Sequence, residues 1–117
     1  RESMGSDLEI LALGTNSIAT SRMMKAGANR GGTGENAITQ SSRTADVIIG
    51  PLAVLMANSM MGEVTAAMSV QVSSSRAKKI LIPLTQENVW LAGGSGEPLP
   101  HLVAEVVQMI QEMKSHV

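Results

Sequence analysis

Three short stretches carry residue types able to do chemistry at a fixed place. The first is Gly14-Thr15-Asn16-Ser17, which closes the apolar run Leu8–Leu13 and precedes a segment of helical character. Where a strand gives way to a helix, such a turn offers unpaired backbone N–H groups, the positive end of a helix dipole and short side-chain donors. The ligand it suits is anionic, a phosphate or a carboxylate. A plain turn with an N-cap has the same composition, and on these four residues alone it outweighs the ligand reading. The second stretch, Gly31-Gly32-Thr33-Gly34-Glu35-Asn36, is a glycine-rich loop opening a helix, whose N–H groups can cradle an anion. It is neither a Walker motif nor G-x-G-x-x-G. Glu35 in a first turn also suits the helix dipole with no ligand present. The third is Asn58-Ser59 with Glu63, polar residues in and beyond an apolar segment. Such groups need hydrogen-bond partners, and buried structural bonds are expected there ahead of catalysis.

Elsewhere the chemistry is sparse. His101 and His116 are the only histidines; the first opens the last helix at the surface or as a cap, and the second is penultimate. There is no H-E-x-x-H, no metal-ligand cluster and no G-x-S-x-G, so no metal site is expected and no residue is nominated as catalytic. Asp46 precedes a strand, at the end opposite the anion-suited turns.

The elements that would position these stretches follow from hydrophobic patterning. Leu8–Leu13, Ala45–Ile49 and Lys79–Leu84 are short apolar runs separated by longer helical segments, which predicts strands of a parallel sheet buried on both faces. Asn88–Ala92 follows too closely for a crossover helix and is expected to form an antiparallel hairpin at one edge. Helices are expected from about Ser17 to Ala26 with Asn16 as N-cap, from Glu35 to Ser42, and from Pro51 to Met61. Two more are expected, from Thr65 as cap to Ser74 and from His101 to Ser115. Gly31–Gly34 lacks periodicity and is expected to be loop. The Pro51–Met61 segment is apolar almost all round, so as a helix it needs covering on most sides, by a core or another subunit. The last helix carries Leu102, Val103, Val106, Ile110 and Met113 as an apolar stripe, which should lie on one face of the sheet. In a parallel sheet every strand exits at one edge, so Gly14–Ser17, Gly50-Pro51 and Pro83–Thr85 should share a rim.

The totals bound the class. A chain of 117 residues, 44% hydrophobic and 16% charged, is one globular domain spanning residues 1–117. A net charge of -1 with scattered basic residues gives no footprint for nucleic acid or an anionic membrane. Cysteine is absent, which excludes disulfides, thiolate metal sites and cysteine nucleophiles, and a cytoplasmic setting is the default. The apolar stretch Val47–Met61 is too short and too interrupted to span a bilayer, so the chain is expected to be soluble. Phe and Tyr are missing, Trp90 is the one aromatic, and Met occurs 9 times. Methionine adapts to irregular space and specifies a core less sharply than phenylalanine.

Several blocks in order carry a resemblance: Leu11–Thr20, Met24–Asn29, Thr33–Ile38, Ala57–Glu63, Lys78–Leu84 and Glu97–Val103. Together they resemble a bacterial family of short proteins known only as a domain of unknown function, over essentially the whole chain. The resemblance implies a three-layer Rossmann-like sandwich, a mostly parallel sheet with the antiparallel edge hairpin, and no established activity. Members begin with a strand, a glycine-rich turn and a helix, the unit expected to face a nucleotide. That unit is absent here, and Arg1–Ser6 reads as a helix end with Gly5 as stop signal. The chain is therefore expected to lack an upstream segment. In a Rossmann-like order that strand would lie between the Leu8 and Asp46 strands, and without it exposed strand edges invite self-association or a rearranged sheet.

The expected function is binding of a small anionic metabolite or nucleotide at the rim, by Gly14, Thr15, Asn16, Ser17, Gly34, Glu35 and Asn36. No acidic residue follows the Leu8 strand to hold a ribose hydroxyl, so NAD is not favoured, and no cofactor is identified. The alternative is a homo-oligomeric interaction module that uses the Met-rich Pro51–Met61 helix and performs no chemistry.

Overall fold

The computed structural model describes residues 8–86, 88–93 and 98–115. The chain is α/β. Its elements are β1 (Leu11–Gly14), α1 (Ser17–Lys25), β2 (Arg30–Thr33), α2 (Glu35–Ser42), β3 (Val47–Pro51), a 3-10 turn (Leu52–Leu55), α3 (Ala66–Ser74), β4 (Lys78–Ile82) and α4 (Leu99–Ser115). β1 pairs with β2 from Leu11↔Arg30 to Gly14↔Thr33, and β3 with β4 from Val47↔Lys78 to Pro51↔Ile82; both pairings are parallel. Among the described residues these pairs are two separate two-stranded sheets.

Local chemistry accounts for the helix starts. Asn16 is extended and its Oδ1 accepts the Ala19 N–H at 2.9 Å, while Thr65 Oγ1 accepts the Met68 N–H at 3.2 Å. Each satisfies one of the orphan donors of a first turn. The expected helices starting at Ser17, Glu35 and Thr65 are present within a residue or so.

β2 is a correction. Gly31–Gly34 is expected to be loop for lack of periodicity, yet Gly31, Gly32 and Thr33 belong to this strand, in which Thr33 is the single β-branched residue. Packing explains the choice of residues. A Cβ on Gly31 would meet Met24 and Thr20 of α1, and one on Gly32 would lie 3.0 Å from Ala37 of α2. Successive strand residues point to opposite faces, so α1 and α2 press on opposite sides of the β1–β2 pair. α2 also packs against α3, the crossover between β3 and β4.

The segment 51–61 is a second correction. The chain stays extended through Pro51 (φ -68, ψ 151), makes one 3-10 turn and then runs through turns to Val64. The Ala53 N–H donates to Leu84 O at 3.0 Å, and buried Ser59 donates its hydroxyl to Ala53 O at 2.6 Å. These bonds, with the Asn58 N–H on Val64 O at 2.7 Å, satisfy the backbone as a compact loop, which helical periodicity does not anticipate. The homo-oligomer interface expected on a Pro51–Met61 helix therefore loses its element.

The antiparallel edge hairpin is a third correction. Asn88–Ala92 contains no strand; the Thr85 hydroxyl donates to Val89 O at 3.0 Å in a local turn, and Trp90 is exposed. α4 forms as expected, and along its predicted apolar stripe Leu102, Val106, Ile110 and Met113 are half-buried while Val103 is exposed. The helix end read at Arg1–Ser6 and the His116 position lie outside the described residues. The buried apolar residues are Ala12, Ala53, Val64, Met68, Val72, Ala77 and Ile80. Small side chains predominate there, as expected where helices lie close on glycine-bearing strands.

Candidate functional site

The carboxyl ends of the strands share a rim. The Gly34 N–H donates to Gly14 O at 3.0 Å, tying the exits of β1 and β2, and the Ala53–Leu84 bond ties those of β3 and β4. Gly14 lets the start of α1 fold back onto the end of β1: a Cβ there would meet Thr20 Oγ1 and lie 2.8 Å from the Thr20 nitrogen. Buried Thr20 anchors this corner, its hydroxyl 2.8 Å from Thr33 Oγ1, 3.1 Å from Gly32 O and 3.2 Å from Asn16 O. Gly34 caps α2 at φ 92, a left-handed geometry that disfavours side chains, and its position provides no side-chain cap.

Two helix N-termini therefore open on the same rim. At α1 the Asn16 side chain takes the Ala19 N–H, and among the described residues nothing accepts from Ser17 or Ile18 N–H. Ser17 and Asn36 are exposed in the first turns of α1 and α2. The structure brings Gly14, Thr15, Asn16, Ser17, Gly34, Glu35 and Asn36 to this one edge, within the two neighbouring strand exits.

Two further residues reach the rim. Glu63 lies beyond β3, yet its Oε1 accepts from Thr15 Oγ1 at 3.1 Å and from Asn16 Nδ2 at 2.9 Å. Thr65 donates its hydroxyl to Glu35 Oε1 at 2.5 Å while capping α3. The donors expected to serve an anion thus hold a carboxylate of the protein itself, beside the positive end of α1. Glu63 also supplies an acidic group at the exit of β1, where none follows in sequence. No local pattern points to it, because the contact spans 47 positions. The other polar residues of that stretch, Asn58 and Ser59, serve the loop through the bonds described above.

The loop that delivers Glu63 is strained. Asn58 (φ 65), Met60 (φ 54) and Met61 (φ 58) all adopt left-handed conformations, followed by Gly62 (φ 85). Left-handed geometry costs a non-glycine residue roughly 1–2 kcal/mol, and strain of this kind concentrates at functional sites. His101 is exposed in α4, and Asp46 lies at the amino end of β3, away from the rim. Among the described residues no group of three or more His, Asp or Glu side chains is placed to hold a metal ion. Nor is any helix among them long and apolar enough to cross a membrane.

The model of one protein family, described as a domain of unknown function (DUF3842), matches residues 1–115. The chain belongs to that family. The match covers the blocks on which the resemblance rested, and DUF3842 carries no assigned activity. No curated protein and no solved structure matches the chain.

Proposed function

We propose that this DUF3842 domain binds a small anionic metabolite or nucleotide at the rim. The rim from Gly14 to Ser17 and from Gly34 to Asn36 receives the anion through the first-turn N–H groups of Ser17, Glu35 and Asn36, and Thr15 and Asn16 orient it. The observation that carries this reading is that two helix N-termini open on one rim, and that one of them already holds the Glu63 carboxylate. Glu63 occupies the place of the ligand anion and moves aside on binding, on a loop already strained. Ligand hydroxyls suit the Glu35 carboxylate better than a second bare anion does, so a phosphorylated, hydroxyl-bearing metabolite or nucleotide is the preferred class.

The same reading takes the fold to be a three-layer, Rossmann-like sandwich with strand order β2-β1-β3-β4 around a central gap. Its support is the change of helix side: α1 lies on one face of β1–β2, α2 on the other, and α2 packs with α3. In such sheets ligands bind outside the carboxyl ends where the winding reverses, here between β1 and β3. A bacterial, cytoplasmic setting accompanies this reading, on the family resemblance and the lack of cysteine.

Thermal-shift measurement against nucleotides and phosphorylated metabolites tests it. A ligand at a hundred times its Kd stabilises by about 2.7 kcal/mol, which for a domain of this size raises Tm by roughly 10 °C. No shift with any compound of this class would remove the reading.

A second reading, self-association, is favoured by the strand edges. β1 and β3 each have a strand partner on one side only among the described residues, and Leu11 (37%) and Ile49 (46%) on them are exposed. Unpaired apolar edges template pairing with another chain. Sedimentation equilibrium should then show dimers or larger species at tens of micromolar protein, and a monodisperse monomer would count against it.

A further inference from the structure

At the amino ends of β3 and β4, the edge opposite the rim, the chain forms a cleft of about 210 Å³ lined by Ser42, Arg43, Gln71, Ser74, Ser75 and Arg76. We propose that this cleft is a second, separate anion site that takes a tetrahedral oxyanion of phosphate-monoester size, held by the guanidinium groups of Arg43 and Arg76.

Arginines that follow helices usually serve the last carbonyls and the negative end of the dipole. Here other groups do that work. Gln40 O accepts from the Arg43 backbone N–H, and Ser41 O accepts from the Thr44 and Ala45 N–H groups. Ser42 O accepts the Ser75 hydroxyl at 2.6 Å, and Val72 O accepts the Ser75 N–H. Ser75 O and Ala77 O both accept from the Lys79 ammonium, at 2.6 and 3.2 Å. Among the described residues neither guanidinium makes an ion pair or a hydrogen bond, and the Ser74 hydroxyl and Gln71 amide are also unengaged. Of the six lining residues, Ser42 and Ser75 donate their hydroxyls to Ile38 O and Ser42 O, and Arg43, Gln71, Ser74 and Arg76 are left as side-chain donors without acceptors.

Its frame is rigid where the donors are rooted. Ser75 clamps the α3–β4 connection to the end of α2, the Ala77 N–H donates back to Ser75 Oγ at 3.1 Å, and the Lys78 N–H donates to Asp46 O at 3.1 Å. Lys79, fixed on Ser75 and Ala77, adds a third positive charge behind the lining. Asp46 is the nearby carboxylate, and it forms no ion pair with either arginine. Two planar forks and a hydroxyl match an oxyanion with several acceptor oxygens, since guanidinium groups bind phosphate and carboxylate in bidentate fashion. The volume selects the size. It lies below the roughly 300–1,000 Å³ typical of drug-sized ligands, which suits a single phosphate group.

The test is titration of the full chain with inorganic phosphate, followed by backbone and arginine Nε–H resonances in ¹⁵N-correlated NMR, with chloride at matched ionic strength as reference. Saturable shifts are expected at Ser42, Arg43, Ser74, Ser75 and Arg76. Arg43→Gln and Arg76→Gln, both exposed positions, should each weaken binding by about tenfold or more, while Lys25→Gln at the end of α1 leaves it unchanged. Phenyl phosphate separates sources: tighter binding than inorganic phosphate marks an ester as the ligand, equal or weaker binding the free ion. Linear shifts matched by chloride would overturn the proposal. So would saturable binding that survives both substitutions, or shifts confined to Gly14–Ser17 and Gly34–Asn36, which would support the rim site alone.

Discussion

Gly14 and Glu63 show what single positions contribute to the rim. The Gly14 Cα is pressed against the first turn of α1, and the obstacle to a side chain is partly the Thr20 backbone, which has little freedom to retreat. Gly14→Ala should therefore cost about 1–3 kcal/mol, measured as a lower urea midpoint with unchanged slope. An unchanged midpoint would mean that α1 sits further from β1 than described. At this scale the sequence was informative wherever a side chain acts on its own neighbours. Asn16 and Thr65 were legible as caps because the cap bond spans three residues. Glu63 was not legible at the rim, since its partners lie at the far end of two intervening crossovers.

Whole elements were readable when the hydrophobic pattern and the local bonds agreed. The α1, α2 and α3 segments combine a cap or glycine start with helical spacing, and β3 and β4 are rich in Ile, Leu and Val. β2 was hidden because its residues were selected for close approach by helices on both sides, which requires glycine and removes the strand signature. The 51–61 segment misled for the opposite reason: Leu, Ala and Met favour helix, but tertiary bonds from Ala53 and Ser59 hold the chain in turns. This loop yields a prediction with a sign opposite to most glycine substitutions. Met61 is fully exposed at φ 58, so Met61→Gly removes no contact and relieves left-handed strain. The relief of roughly 1–2 kcal/mol exceeds the entropic cost of glycine, roughly 0.5–1 kcal/mol, so a net gain of about 0.5–1 kcal/mol is expected in urea unfolding. In the same assay Val70→Gly, at an exposed position within α3, should lose about 1 kcal/mol. Equal losses at both sites would show that Met61 is not left-handed in solution.

For the whole molecule, the parallel direction of the strands is the feature on which the functional account depends. Consecutive apolar runs separated by helices announced it for β3 and β4; β1 is also parallel to its neighbour, but that neighbour is β2, which carries no apolar run. The division into two sheets among the described residues departs from the single, mostly parallel sheet that the sequence implied, because periodicity within a strand carries no information about which strand it pairs with. The common exit edge is what brings Thr15, Asn16, Glu35, Glu63 and Thr65 together from separate crossovers. The most direct test of that edge is an amide-shift titration of the wild-type chain and Glu63→Gln with a nucleoside monophosphate. Glutamine keeps an acceptor for Thr15 and Asn16 but removes a like charge beside the incoming phosphate, worth about three- to tenfold in affinity at an exposed site. The account predicts saturable shifts at Gly14–Ile18 and Gly34–Asn36, with tighter binding by the variant. Shifts absent from both segments, or a variant that binds no better than wild type, would contradict it.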